Sequence, residues 1–539
     1  MMIGRKKLSS IFNTIKDNGN MNSAMGGIVL INLILAFTVL CRDIFLASYL
    51  GTSSQADAFL LAYFFPDTVG NLLLAGALGV AAVPVFSRLY LTNDTYRLNK
   101  AITYVTIYFI FFSLFIMVIA FIARESIVQL LGSGLGEESK ALCVRLLIIM
   151  LPTIIIFPII LIGISVLQVY ERFYIPASVT VLFNLVFLGG ILYAYLMTMP
   201  LQKGVYLLAA SVLTGVMAMV LLIFAAFKKY RIGFLVRPLV SDIIKPPREL
   251  TEIFRTFVLY LAILVSSYMV YTVERFLASN LEVGSIAALN YAFRLAQFPL
   301  WVFVAAVSAV ALPLMSKANG LGRMENFKET LGKSLRLILM ITVPLSIMFF
   351  VLRVPIVSFM LQRGSFDSGS VQVTAGILAG YSLTIVFQSV VFISLRAFLA
   401  AGRILSPLVV AVISSGVTII LDFYLVDVAG SAGLGYGAAI GALINSIMIL
   451  FILKREIGLD TKAQLNGFAR ILMANFPVYL LIALTGKTLI SILLYNSIFL
   501  NVAFFIIMSV AGLLIYWQSL KLMGVSPVEA LENQYEKGR

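Results

Sequence analysis

The sequence contains no histidine, only two cysteines, and charge on just 12% of its residues. The missing histidine removes the commonest general base, metal ligand and proton switch near neutral pH. Cys41 and Cys143 each lie inside a hydrophobic run. Two isolated thiols build neither a disulfide framework nor a metal site, so both read as small packing residues. A soluble protein carries roughly 25% charged residues because its surface needs them; that class is excluded. Nor is there an Asp-x-Asp pair or an extended polar loop. A membrane glycosyltransferase or polymerase would have nothing to supply its base or its metal-binding acids, and no enzyme is expected.

Hydrophobic residues make up 61% of the 539-residue chain, and they come in blocks of roughly 20 or more, enough to cross ~30 Å of hydrocarbon as a helix. Inside lipid each backbone N–H and C=O must be satisfied within its own segment, so the blocks are helices. The fold class is an all-α integral membrane protein. Apolar runs bounded by charge, Gly or Pro lie near 25–50, 57–92, 99–123, 141–169, 173–198, 205–227 and 251–280. They continue near 284–317, 332–354, 370–402, 405–427, 433–453, 467–486 and 491–518, fourteen transmembrane helices in all. The polar, basic segment 1–24 has no small-residue cleavage site after a short apolar core, so the first helix is expected to stay attached.

Lys and Arg test that count, because they accumulate on the cytoplasmic side. With the N-terminus inside, the even-numbered loops hold clusters such as Arg88, Arg97 and Lys100, or Lys228, Lys229, Arg231, Arg237, Lys245 and Arg248. The odd-numbered loops hold only a scatter, Arg124, Lys140, Lys203, Arg363 and Lys487. Both termini are then cytoplasmic. The net charge of +15 is a topology signal facing an anionic leaflet and calls for no nucleic-acid partner.

The chain also repeats itself. RDIFLASYLGTSSQADAFLLAYFFP, from Arg42, is echoed by ERFLASNLEVGSIAALNYAFRLAQFP, from Glu274, and VPVFS around Pro84 by LPLMS around Pro313. The interval covers six spans, an even number, so the halves share one orientation, as in parallel-repeat transporters. The expected layout is a segment 1–24, a six-helix bundle 25–228, a linker 229–250, a second six-helix bundle 251–455, two further transmembrane helices in 456–520 and a tail 521–539. The two bundles are expected to flank a central cavity.

Charges inside such spans are expensive, ~2.5–3.5 kcal/mol at the membrane centre, and persist where they face the protein interior or water. Arg145, Arg255 and Arg353 lie near span ends, where they can snorkel. Arg42 and Arg294 lie well inside their runs and are the candidate cavity cations, read as unpaired, so that alanine there should stop transport without lowering the protein's level. Asp43 should point about 100° away from Arg42 on a helix and bind a neighbouring helix. Glu274 and Arg275 either pair across the bundle or serve the cavity. Asp57 is either a helix N-cap or a gate partner for an arginine. Pro66, Gly70, Gly76, Gly79 and Pro84 break up the second span, through packing or gating. A cationic cavity suits a diphosphate, whose oxygens match paired guanidinium donors.

These same stretches resemble the MurJ/MviN family of lipid II flippases, within the superfamily that includes polysaccharide flippases and MATE-type exporters. RDIFLASYLG…GVAAVPVFSRLY resembles its first two helices, GSIAALNYAFRLAQFP its eighth, and LQRGSFDSGSV with LRAFLAAGRILSPL its ninth-to-eleventh region. The similarity runs over about residues 30–455. It implies twelve core helices plus two, and a bacterial cytoplasmic-membrane flippase for a polyprenyl-diphosphate-linked sugar, most simply lipid II. The alternatives are another lipid-linked oligosaccharide, a MATE-like exporter, or an envelope scaffold; an exporter of cations needs cavity carboxylates, which Arg42 and Arg294 oppose. The resemblance makes Arg42 and Arg294 diphosphate ligands and Asp57 an acidic residue at the cavity end; Arg275 joins the substrate-binding candidates, and Asp43, Asp57, Glu274 and Arg396 are the candidate gate or cavity partners. It makes Asp422 with Thr418 part of a sodium site, so sodium or the membrane potential is the expected energy source and no other cofactor is expected. Membrane lipids and cell-wall synthesis proteins are the implied partners. Family arginines are missing at Ala36 and at Gly70 or Asn71, and an acidic residue at Ala75; Asn71 stays a candidate head-group contact.

Overall fold

The computed structural model describes residues 21–70, 76–232, 248–403, 405–493 and 511–524. Among these residues all regular structure is helical, and eleven spans are long and apolar enough to cross a membrane. The first nine helices are α1 (Met21–Leu50), α2 (Ser54–Pro66), α3 (Gly76–Leu91), α4 (Thr95–Ile122), α5 (Arg124–Leu131), α6 (Glu137–Met150), α7 (Thr153–Val169), α8 (Tyr174–Leu196) and α9 (Leu201–Tyr230). Then come α10 (Arg248–Ser279), α11 (Ser285–Pro299), α12 (Ala305–Gly320), α13 (Met324–Val351), α14 (Arg353–Leu361), α15 (Ser368–Ala400), α16 (Leu405–Ala429), α17 (Ser431–Ile457) and α18 (Thr461–Leu493). The chain divides into two compact units, residues 1–268 and 269–539, and the division falls inside α10.

In the first unit the described parts of the expected second span are α2 and α3, and residues 71–75 between them lie outside the described residues. Pro66 lacks the N–H that an α-helix needs at that point, and α2 runs on into a π-helical turn over 67–70. In the second unit α11 ends at Pro299, a π-helical turn covers Leu300–Val304, and α12 follows with Pro313 inside it. Such wide turns form where the regular hydrogen-bond ladder is interrupted. The expected span 467–486 lies within α18. Most of the expected span 491–518, both chain termini and most of the 229–250 linker lie outside the described residues.

The cap of α2 corrects one expectation. Ser53, not Asp57, is the N-cap: its hydroxyl accepts from the Ala56 N–H at 3.2 Å. Asp57 sits in the first turn, 2% exposed. At the start of α15, Asp367 accepts from the backbone N–H and the hydroxyl of Ser370, each at 2.8 Å. Those two donors hold its carboxyl below the ordinary carboxylate range.

Glycines set the closest helix approaches in the second unit. A Cβ on Gly380 of α15 would collide with the backbone at Gly435 of α17. Along α17, Gly433, Gly437 and Gly441 recur every four residues and so share one face. A Cβ there would meet, in turn, the Leu425 carbonyl, Asp422 Oδ1 and Thr418 Oγ1, all on α16. Small residues let membrane helices pack at backbone distance, and here they seat α17 directly on the two candidate ion-site residues.

Candidate functional site

In the first unit, α1 carries Arg42 two turns before its C-terminal end, and the residue is 5% exposed. Its Nε and Nη2 donate to Asp43 Oδ1 at 2.9 and 2.6 Å, and Nη1 donates to Asn184 Oδ1 on α8 at 2.6 Å. Asn184 Nδ2 donates to the Thr180 carbonyl one turn earlier at 2.8 Å. That bond fixes the amide so that its oxygen faces the arginine. The Phe187 ring, one turn further along α8, lies 5.6 Å from the guanidinium carbon, a cation–π distance. A guanidinium has five N–H donors; three are engaged by these bonds, leaving one on each terminal nitrogen.

Asp43 therefore does not turn away to a neighbouring helix. Adjacent helical positions do diverge, but the arginine stem is long enough for its head to fold back over the carboxylate. Asn184 and Phe187 close the other side. Arg42 is a paired charge, not an unpaired one.

In the second unit Arg294 is half-buried on α11. Its guanidinium lies 5.9 Å from the Trp301 ring centre and makes no hydrogen bond or ion pair with any described residue. The two arginines that sequence treats alike thus differ in structure: one is held, the other has its donors open.

Two further buried acids, Glu274 and Asp422, lie in the second unit. Glu274 on α10 is 1% exposed and accepts from the Tyr381 hydroxyl of α15 at 2.8 Å. Its partner across the bundle is thus a phenol. Glu274 Oε1 is buried with no donor, as are both carboxylate oxygens of Asp422, a residue 0% exposed. Asp422 lies near enough to Glu274 to feel its charge. Thr418, one turn before Asp422, donates to the Ser414 carbonyl at 2.8 Å. Arg275 donates from Nη1 to the Tyr271 carbonyl at 2.9 Å, one turn back on its own helix. Tyr271, Phe293 and Tyr381 form a ring chain with centroid spacings of 5.1 and 5.8 Å.

Three buried carboxylate oxygens without donors are costly unless something positive reaches them. Oxygen-only ligands suit a hard cation, so the residues present fit a sodium ion.

The other candidates fall away from these clusters. Arg396 is exposed near the C-terminal end of α15 and makes no bond among the described residues. Arg145 and Arg255 are exposed. Arg353 opens α14 and donates to the Phe350 carbonyl at 2.9 Å, as a residue at a span end should. Asn71 lies outside the described residues. Sequence reasoning missed Asn184, Tyr381 and the Gln297–Gln388 amide pair at 2.8 Å. Their signal was present: each is a polar side chain in an apolar span, where such groups find partners on other helices.

Membrane-length helices with charges buried among them define a polytopic membrane protein. The solved structures agree on fold: "Lipid II flippase MurJ, inward closed conformation" matches with a TM-score of 0.76 at 24% identity, over 92% of this chain and 98% of that one. An inward-facing MATE transporter matches with a TM-score of 0.67 at 17% identity, over 80% of this chain and 98% of the other. Curated relatives include the lipid II flippase MurJ of Burkholderia cenocepacia, 26% identical over 79% of this chain and 82% of that protein. The lipid II flippase MurJ of Thermosipho africanus is 26% identical over 88% and 91%. The family model described as "Lipid II flippase MurJ" matches residues 46–513. The chain belongs to the lipid II flippase MurJ family.

Proposed function

We propose that this chain carries lipid II, the lipid-linked precursor of peptidoglycan, across the bacterial cytoplasmic membrane, and that Arg42 and Arg294 bind its diphosphate. A flippase moves its substrate without converting it, so the site needs complementary charge rather than a nucleophile. The observation that carries the reading is Arg294: a guanidinium inside a membrane span with open donors. An arginine so placed is retained for a ligand, and its planar fork fits phosphate oxygens. Arg42 offers two further N–H groups while its charge is shared with Asp43.

Fourteen spans in two parallel repeats, with both termini cytoplasmic, remain the preferred layout. The recurring pattern of proline, π-helical turn and second proline at Pro66–Pro84 and Pro299–Pro313 supports the repeat. A reporter after Thr52 should then be extracytoplasmic and one after Lys245 cytoplasmic. Sodium, where it couples transport, would be held by Asp422 and Glu274 with Thr418 beside them, and would supply the charge that their unpartnered oxygens lack. Peptidoglycan synthesis proteins are the partners this role implies.

The test is lipid II flipping by the purified chain in proteoliposomes. Arg294→Ala should reduce it strongly with an unchanged amount of folded protein, and Arg294→Lys should recover little, because a point charge lacks the paired donors. Wild-type flipping by Arg294→Ala would refute the assignment.

A further inference from the structure

We propose that Asn184 is the positioning residue of Arg42, a neutral acceptor that aims the guanidinium without cancelling any more of its charge; this rests on Arg42 being a head-group ligand. Arg42 has one hydrogen-bonded carboxylate partner, Asp43, and one neutral partner, Asn184, which engage different edges of the same guanidinium, while the Asp67 carboxylate acts on its charge from further off. Asp43 alone, one residue along the same helix, leaves the long side chain free to pivot about that contact. Asn184 removes the pivot. It is 3% exposed, its own amide is pinned by the Thr180 carbonyl at 2.8 Å, and it reaches Arg42 from a second helix. Phe187 covers the guanidinium face from that same helix. With three sides fixed, the two remaining N–H groups point in set directions, which paired hydrogen bonding to phosphate requires.

The chemistry of position 184 matters as much as its geometry. An acid there would bond the same Nη1 at least as strongly but place a second carboxylate on one arginine. The group would then carry net negative charge and repel a diphosphate. A leucine would keep the volume and lose the bond, so the arginine would pivot. Asn184 thus tunes affinity for an anionic head group through charge, not only through packing.

The experiment measures binding of lipid II, and of a polyprenyl diphosphate lacking sugar, to the full-length chain in lipid nanodiscs. It compares wild type, Asn184→Leu, Asn184→Asp, Asp43→Asn and the double variant Asp43→Asn with Asn184→Asp, each with its thermal unfolding midpoint. Asn184→Asp should weaken both ligands about tenfold or more, and Asn184→Leu by less. The double variant, which restores one carboxylate per arginine, should recover most of what Asn184→Asp loses, a coupling that a double-mutant cycle isolates. A role in packing alone would lower the unfolding midpoint of both single variants at 184 and show no recovery on changing Asp43; that outcome overturns the proposal, as does wild-type affinity in Asn184→Asp. A wild type that binds neither ligand instead overturns the head-group reading of Arg42, and it does so in every chain alike.

Discussion

Replacing Arg42 by methionine should destabilise the protein, and neutralising Asp43 in the same chain should undo most of the damage. The side chains of the pair are 6% and 15% exposed. Removing one partner from a buried ion pair typically costs ~3–5 kcal/mol, because the other charge is left uncompensated. Asp43 keeps a little solvent access, which points to the lower end, about 3 kcal/mol. Asn184 Oδ1 loses its donor as well, for roughly 1 kcal/mol more. Methionine fills the stem volume, so the cavity contribution is small. In Arg42→Met with Asp43→Asn the carboxylate bonded to the guanidinium is gone as well, only the more distant Asp67 charge is left, and the deficit should shrink to about 1 kcal/mol. Unfolding of the purified protein in detergent, by heat or by titrated denaturant, measures all three chains. Equal stability of Arg42→Met and wild type would refute the reasoning, since it would return Arg42 to the unpaired state that its position in the sequence suggests.

Gly437→Ala should separate α16 from α17, because its methyl would overlap Asp422 Oδ1; overpacking of this kind costs ~1–3 kcal/mol, readable in the same unfolding assay, and wild-type stability would count against the close approach. Tyr381→Phe removes the donor that reaches Glu274 among the described residues, leaving a fourth buried carboxylate oxygen without one; about 1–3 kcal/mol of stability should be lost, and sodium titration should restore more of it than an equal concentration of choline. Ala36→Arg should strengthen lipid II binding measured in nanodiscs, since Ala36 is half-buried six residues before Arg42 on α1; unchanged affinity would mark the missing arginine as neutral. The companion substitution at Gly70 is barred, because a Cβ there would lie 2.8 Å from Phe157 Cδ2 and 3.0 Å from Ile154 Cα.

Much of the fold was legible because membrane physics leaves few alternatives. A run such as 99–123 can only be a helix in lipid, and α4 covers it. The change from α-helix to π-helical turn after Pro66 was written in that proline, which removes a donor from the ladder. What sequence could not supply was the direction of long side chains. Helical phase placed Asp43 away from Arg42, and phase is a statement about Cβ atoms. The guanidinium head lies several bonds beyond its Cβ and goes where Asn184 and Phe187 allow. Those two residues lie more than a hundred positions away, on α8. The cap of α2 failed for a related reason: the helix begins at Ser54, so Ser53 holds the cap position and Asp57 falls within the first turn, which only the backbone decides.

The difference between the two arginines decides which substitutions report on transport. Arg42 sustains Asp43 and Asn184 as well as any ligand, so removing it changes stability and binding together. Arg294 sustains no hydrogen bond among the described residues; it lies over the Trp301 ring, and its charge repels that of Arg275. Losing a cation–π contact costs ~0.5–2 kcal/mol, which desolvation relief at a membrane-embedded charge offsets. A fall in transport at Arg294 therefore reads directly as lost substrate affinity. A fall at Arg42 does so only after the Asp43 charge has been removed alongside it.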